Sequence, residues 1–302
     1  MLLAGETQWQ AYRRALSPHP AHATTDLQLM RSLIQQLLPD RQPHAIGVSF
    51  GGPVNAAIGE VRLSHHVPGW ENFPLGTLLS EEFGVPVSVD NDANAAALGE
   101  HRFGAGQGYD SLLYITISTG VGGGWILQGQ PWRGAEGMAG EIGHMVVDPA
   151  GALCLCGKRG CLERLASGPY IAQQVREILQ AAPSRGQGIC DRVKGNLDAI
   201  TAQIVSQAAE QGDDLAREVL ETAGWALGVG IGNVANLINP QRFVLGGGVT
   251  QAGKPFWDTV RRVARETALP EVHFEIVPAA LGEEAPLWGA VALANDRMGL
   301  PG

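Results

Sequence analysis

An α/β fold is what this sequence predicts, and three observations predict it. Short apolar runs of strand length recur along the chain. Amphipathic or small-residue helical patterns lie between them. The 302 residues suffice for about two domains with a sizeable core. In order, "TTDLQLMRSLIQQLL" places Leu27, Met30, Leu33/Ile34 and Leu37 on one helical face behind a Thr-Thr-Asp capping signal. "HAIGVSF" (44–50), "VPVSVDN" (85–91) and "SLLYITIS" (111–118) read as largely buried strands. Ser167 followed by Pro169 opens a helix near "YIAQQVREILQAA". "APSRGQGICDRVKGN" (182–196) reads as a surface connection, and "DDLAREVLETAGWALGVGIGNVANLINP" as a long helix whose small residues allow close packing, stopping before Pro240. "RFVLGGG" (242–248) and "HFEIVPA" (273–279) are two more strands, and "EEAPLWGAVALAND" is the last helix. No internal repeat or low-complexity tract interrupts this alternation.

Composition narrows the function classes. The chain is 45% hydrophobic and 17% charged, with a net charge of −9, an ordinary soluble profile. The acidic balance argues against a nucleic-acid partner. Neither a signal peptide nor a membrane-spanning apolar run is evident, so a cytoplasmic, reducing location and no membrane partner are expected. The 41 glycines cluster, which fits close backbone approach to ligands better than flexible linkers.

The segment "EIGHMVVDPAGALCLCGKRGCLE" (141–163) holds three of the four cysteines. His144, nine residues, Cys154, one residue, Cys156, four residues and Cys161 give three thiolates and an imidazole, the donor set of a closed tetrahedral zinc site. The competing reading is buried free cysteines or a disulfide. A reducing compartment disfavours the disulfide, and three cysteines leave one unpaired. Cys190, isolated, reads as an inert or surface thiol. A closed site does no chemistry at its metal, so the flanking acids need another role. Glu141 and Glu163, carried by the metal-bound loop, would be rigid acceptors for vicinal sugar hydroxyls, or else a helix cap and a solvated surface acid.

"VSVDNDANAAALGEH" ends a strand and begins a helix, so Asn91 and Asp92 point out of the carboxyl end of a strand, where α/β sheets bind ligands. Asp92 could take a proton from a hydroxyl or could equally be an N-cap. "TISTGVGGG" (116–124) runs from a strand into a Thr-Gly turn and three glycines. Exposed N–H groups and the Ser118 and Thr119 hydroxyls there suit phosphate oxygens. "VLGGGV" (244–249) repeats that logic as a surface for a nucleotide, although glycine-rich strand ends also make plain turns.

Taken together, these motifs resemble the ROK family, named for repressors, open reading frames and kinases. His144, C-x-C-G-x-x-G-C and the trailing Leu-Glu stand in family spacing, and "GGPV" (51–54), "VPGWENFPL" (67–75), "NDANAAALGEHRFGAG" (91–106), "STGVGGG" and "VLGGGV" also match. The resemblance runs from about residue 11 to the C-terminus. It implies an actin-like (ribonuclease H-like, ASKHA) two-lobed α/β fold with sugar and ATP in the cleft. One lobe would comprise residues 1–92 completed by 283–302. The other would comprise 93–282, with its zinc loop at 144–161. Asp92 is then expected as the general base, and Asn91, Glu141, His144 and Glu163 as sugar ligands. His144 would use one ring nitrogen for zinc and the other for the sugar. Thr119 and Gly120 are expected at the phosphates, Gly247 and Gly248 at the nucleotide, and magnesium with the ATP. A homodimer or homotetramer is the family's expectation.

The departures matter too. Family kinases open with an apolar strand running into D-x-G-G-T-K, a phosphate-contacting loop, and this sequence has none. "MLLAGETQWQAYRRAL" resembles instead the end of the family's second strand, a turn and the third strand. The N-terminal lobe is therefore expected to be incomplete, with Met1 not the natural start and a gap, rearrangement or covered edge beside "HAIGVSF". His66 stands where many glucokinases have Asn, and Asn55 where "GPVD" has Asp, which leaves the hexose open. The leading expectation is a hexose kinase making glucose 6-phosphate. A kinase-dead sugar sensor is the alternative. A repressor ranks third, since no helix-turn-helix precedes the sugar domain.

Overall fold

In the computed structural model the described residues are 2–3, 9–64 and 66–300. The chain opens with β1 (Leu2–Leu3) and β2 (Trp9–Ala11), followed by α1 (Ala23–Leu37), β3 (Ile46–Phe50), β4 (Val54–Asn55), β5 (Glu60–Val61) and α2 (Leu75–Phe83). It continues through β6 (Val87–Asn91), α3 (Asp92–Phe103), β7 (Leu112–Ile117), β8 (Val121–Leu127) and β9 (Gln130–Trp132). A 3₁₀ turn at Ile142–His144 leads to α4 (Leu162–Ala166), α5 (Gly168–Ala181), α6 (Gln187–Arg192), α7 (Ala202–Glu210) and α8 (Asp214–Ile238). The last elements are β10 (Arg242–Gly246), α9 (Lys254–Thr267), β11 (Glu275–Pro278) and α10 (Ala285–Met298).

The larger sheet has the order β11-β10-β7-β8-β9. β7, β10 and β11 are parallel, and β8 and β9 continue antiparallel. Its central strands β7, β8 and β10 are largely buried on both faces, as a sheet covered by helices on both sides requires. α8 and α9 pack beneath it around Phe243, Leu227 and Phe256, all fully buried. The small residues of α8 serve as the sequence anticipates, with Gly224, Gly228 and Gly232 facing α9 side chains and carbonyls. In the other part of the molecule β3 and β6 form a parallel pair with Ile46 opposite Val87. α1, α2 and Trp70 close the core on this pair. Among the described residues β3 has that single strand neighbour, and β1 and β2 pair only with each other. The hairpin instead reaches α10, where Trp9 lies 4.4 Å from Trp288 between ring centroids and donates its indole N–H to Glu284.

Three expectations need correction. The N-cap of α1 is His22, two residues before the Thr-Thr-Asp signal. Its Nδ1 accepts from the Thr24 N–H, and the Thr25 hydroxyl closes a capping box. The segment 182–196 is not all surface connection, for it contains α6, held by the fully buried Ile189. The three glycines 122–124 are not an open phosphate turn. They lie within β8, paired with Ile115, Thr116 and Tyr114 of β7.

Those strand glycines exist for close packing. A Cβ on Gly124 would stand 2.3 Å from the Ala93 carbonyl oxygen of α3, and one on Gly289 of α10 would stand 1.7 Å from that of Ala95. α3 is thus gripped on two sides at backbone contact. Its far end is fixed by Glu100, fully buried, whose carboxylate accepts N–H groups from Ala105, Ala280 and Leu281 at 2.7–3.1 Å. Gly289→Ala is predicted to destabilise the chain by about 2–3 kcal/mol or to prevent folding, because backbone must move. Gly248→Ala, whose Cβ meets open space, should lie within about 0.5 kcal/mol of the parent in the same urea titration.

Candidate functional site

Strand ends determine where the reactive groups sit. β6 runs directly into α3, and Asn91 is the junction. Its side-chain oxygen accepts from the N–H groups of Ala93 (2.9 Å) and Asn94 (3.4 Å), which makes Asn91 the N-cap of α3. Its amide donates to the Gly52 carbonyl at 3.1 Å, tying the "GGPV" segment to the strand end. Asp92 is therefore not the cap but the first helical residue. Its carboxylate accepts the Ala93 N–H at 2.9 Å, and its side chain comes near Gly51. The residue is exposed to solvent, yet the surrounding protein mass desolvates the carboxyl and pushes its pKa up from 3.8. The hydrogen bonds from Ala93 and Asn91 pull the other way.

β7 and β10 end side by side. The turn after β7 carries Ser118 and Thr119, both exposed, and half-buried Gly120. Gly247, at the end of β10, packs so closely on Ile117 that a Cβ would lie 2.3 Å from its carbonyl oxygen. Thr119, Gly120, Gly247 and Gly248 thus share the carboxyl edge of parallel strands, the usual ligand side of such sheets. Glu163 is joined to this edge. Its carboxylate accepts the Val121 N–H at 2.9 Å and stands against Gly120. One of its oxygens is committed to the β8 main chain, and the other remains for a ligand.

Glu141 is exposed at the start of the 3₁₀ turn that carries His144. A Cβ on Gly143 would stand 2.1 Å from the Val121 carbonyl oxygen, so this turn also lies on β8. His144, Cys154, Cys156 and Cys161 come together, with their donor atoms all within 4.8 Å of one another. The cysteines are free thiols, and the Cys156 and Cys161 sulfurs are 3.5 Å apart, far beyond a disulfide bond. Two features fit a cation here. The buried Nδ1 of His144 has no hydrogen-bond partner, and burial, reinforced by the neighbouring thiols, pushes the Cys161 thiol up to about 12. A group with three sulfurs so close resists ionisation unless a metal supplies the charge. Cys190 lies elsewhere, half-buried against the core around α8.

Two residues of this region carry no motif and escaped the sequence reading. Asp90, on β6, is 1% exposed. Arg133, after β9, pairs with it at 2.6 Å. A charged residue directly after the buried Val89 in an apolar strand run is the signal that could have found the first.

Two α/β sheets, each presenting the carboxyl ends of parallel strands to the same region, define an actin-like (ASKHA) fold. The chain belongs to the ROK family, whose model matches residues 2–297. It is 42% identical to a glucokinase of Halalkalibacterium halodurans over 83% of this chain and 77% of that one. A ROK family glucokinase from Streptomyces griseus, solved in complex with glucose and AMPPNP, is 34% identical and superposes with a TM-score of 0.78 over 91% of this chain and 89% of that one. The DNA-binding transcriptional dual regulator NagC of Escherichia coli K12 is 35% identical over 85% of this chain and 62% of its own length. Among the described residues no helix is long and apolar enough to cross a membrane.

The raised Asp92 pKa has a stability consequence of definite sign. The folded state holds this proton more tightly than the unfolded state does. Stability therefore falls as pH rises from the unfolded value of 3.8 through the folded one. Asp92→Asn removes that cost at neutral pH while Asn91 still caps the helix. The variant is predicted to melt at a higher temperature than the parent at pH 7 and to lose the advantage at pH 3, as read by thermal denaturation at both pH values.

Proposed function

We propose that this chain transfers the γ-phosphoryl group of ATP to a hexose hydroxyl, converting glucose to glucose 6-phosphate, with Asp92 as general base. The observation that carries the reading is Asp92 itself. It is an exposed carboxylate at a strand end, released from capping by Asn91 and seated beside the "GGPV" segment. Likeness to glucokinases along most of the chain supports the substrate class.

In this reading the sugar lies against Asn91, Glu141, His144 and Glu163, whose remaining donors and acceptors match vicinal hydroxyls. Asp92 accepts the proton of the attacking hydroxyl. The freed oxygen bonds to the γ-phosphorus, the bond to the bridging oxygen breaks and ADP leaves. Thr119 and Gly120 receive phosphate oxygens on the β7 turn, and Gly247 and Gly248 provide the floor for the nucleotide. Magnesium bound with ATP neutralises charge on the phosphates, so the protein's share is chiefly positioning. His144, Cys154, Cys156 and Cys161 would hold a zinc ion, which would anchor the segment that carries Glu141 and Glu163 and set the tautomer of His144.

A second reading, hexose binding without transfer, is favoured by the likeness to NagC, a regulator. A coupled assay with ATP and glucose, mannose, fructose or N-acetylmannosamine separates the two. Transfer supports the kinase, whereas calorimetric hexose binding with no transfer supports the sensor. For a kinase, Asp92→Asn is expected to cut turnover about a hundredfold or more with hexose binding nearly intact. Unaltered turnover would leave Asp92 no role as the base.

The zinc assignment has its own test. Elemental analysis of protein purified without added metal should give about one zinc per chain, as a closed four-ligand site holds. Cys156→Ser should lose the metal and weaken hexose binding with it. A metal-free parent with a disulfide among these cysteines would contradict the assignment.

A further inference from the structure

We propose that the ion pair of Asp90 and Arg133 is the tie that holds the loop 133–141 against the strand end bearing Asp92, which makes Arg133 a positioning residue for hexose binding. The inference rests on the functional reading above and extends it to a pair of side chains outside the proposed ligand set. Asp90 lies two residues before Asp92, in β6, and is 1% exposed. A carboxylate so enclosed needs partners for its charge and lone pairs. One oxygen accepts the Asn91 N–H at 2.8 Å and the Asn94 side-chain amide at 3.1 Å. The other accepts Nε of Arg133 at 2.7 Å and Nη2 at 2.6 Å.

Arg133 directly follows β9 of the larger sheet. Its main-chain carbonyl accepts the Ala139 N–H at 3.0 Å and closes the loop just before Gly140 and Glu141. One residue thus grips both structures, its guanidinium on the base strand and its backbone on the loop that leads to a proposed sugar acid. The far end of the loop rests on β8, where a Cβ on Gly140 would stand 2.2 Å from the Gly123 carbonyl oxygen, and Ala139 packs on the core, so the tie acts on the stretch before them. Gly134, Gly137 and Gly140 all have positive φ, between 73° and 97°, and such residues are the freest in the chain. Gly137 also comes against the Val54 carbonyl, next to the segment that Asn91 holds. The same pair therefore orders the two sides of the proposed sugar site relative to each other.

The pair is asymmetric, and this decides the choice of variant. The Arg133 side chain is 30% exposed and that of Asp90 2%. Arg133→Met strands a buried carboxylate and invites misfolding. Asp90→Asn keeps an acceptor for the Asn91 N–H and releases an arginine that water can reach, so it is the cleaner test. Asp90→Glu keeps the charge and serves as the conservative rescue.

The experiment compares the full chain with Asp90→Asn and Asp90→Glu. In the ligand-free proteins, amide exchange in 133–141 is expected to quicken about tenfold in Asp90→Asn, with α8 and α9 unchanged and partial protection restored in Asp90→Glu. In turnover, KM for the hexose should rise about tenfold while KM for ATP moves less than about twofold. Unchanged exchange in 133–141 overturns the proposal. So does a loss of activity that spares both KM values and merely tracks the folded fraction. If the parent neither binds nor phosphorylates a hexose, the functional reading fails. The exchange result then stands alone and still decides whether the tie exists.

Discussion

The close approach of α3 to its neighbours is the constraint on which the rest of this molecule depends. Ala93 meets Gly124 of β8, and Ala95 meets Gly289 of α10, at distances that exclude a Cβ. Helices and strands normally keep a layer of side chains between their backbones. Here that layer is removed, and the first turn of α3 is held by main-chain atoms, which deform far less than side chains. Asp92 stands on this turn. Its position relative to the β7–β8 turn is consequently set by backbone contact on one side and by the Asn91 cap on the other. The role proposed for Asp92, meeting a reacting hydroxyl within hydrogen-bond reach, would benefit from such a mounting.

The segment 133–163 solves the opposite problem. It is rich in glycine and has little regular structure apart from a 3₁₀ turn and the start of α4. It is held instead by discrete attachments. Glu163 takes the Val121 N–H, Gly143 lies on the Val121 carbonyl, and the His144–cysteine cluster gathers the stretch between them. The first two attachments converge on Val121, next to the Thr119–Gly120 turn. A cation among the four donors would therefore stiffen both the proposed sugar acids and the edge where phosphate is expected, without taking part in the chemistry. The rigid mounting of Asp92 and the pinned loop face each other, with Asp90 and Arg133 as a direct ion pair between them.

Much of this was legible in the sequence. The five apolar runs became β3, β6, β7, β10 and β11, and the long small-residue helix became α8, because periodicity and strand length report burial directly. The four metal-type donors were found from spacing alone, since a closed site draws its ligands from one short stretch. What escaped was whatever depends on contacts distant in sequence. Glycines 122–124 look like a turn until α3 is placed against them. His22 carries no strong capping preference and caps because Thr25 completes the box. Arg133 is an ordinary charged residue in its own neighbourhood, and only the meeting of the two sheets gives it Asp90 as a partner. Glu163 shows the limit most clearly. Its place after the cysteine cluster makes it a candidate sugar ligand, but its bond to Val121 is a tertiary fact.

In the proposed reaction a hexose hydroxyl is presented to Asp92 between the rigid helix start and the pinned loop. A crystal structure of the chain grown with glucose tests this most directly. One sugar hydroxyl is expected within about 3 Å of the Asp92 carboxylate, the distance a general base requires, with the remaining hydroxyls on Asn91, Glu141, His144 and the free oxygen of Glu163. Glucose bound elsewhere, or a site empty at saturating sugar, would contradict it.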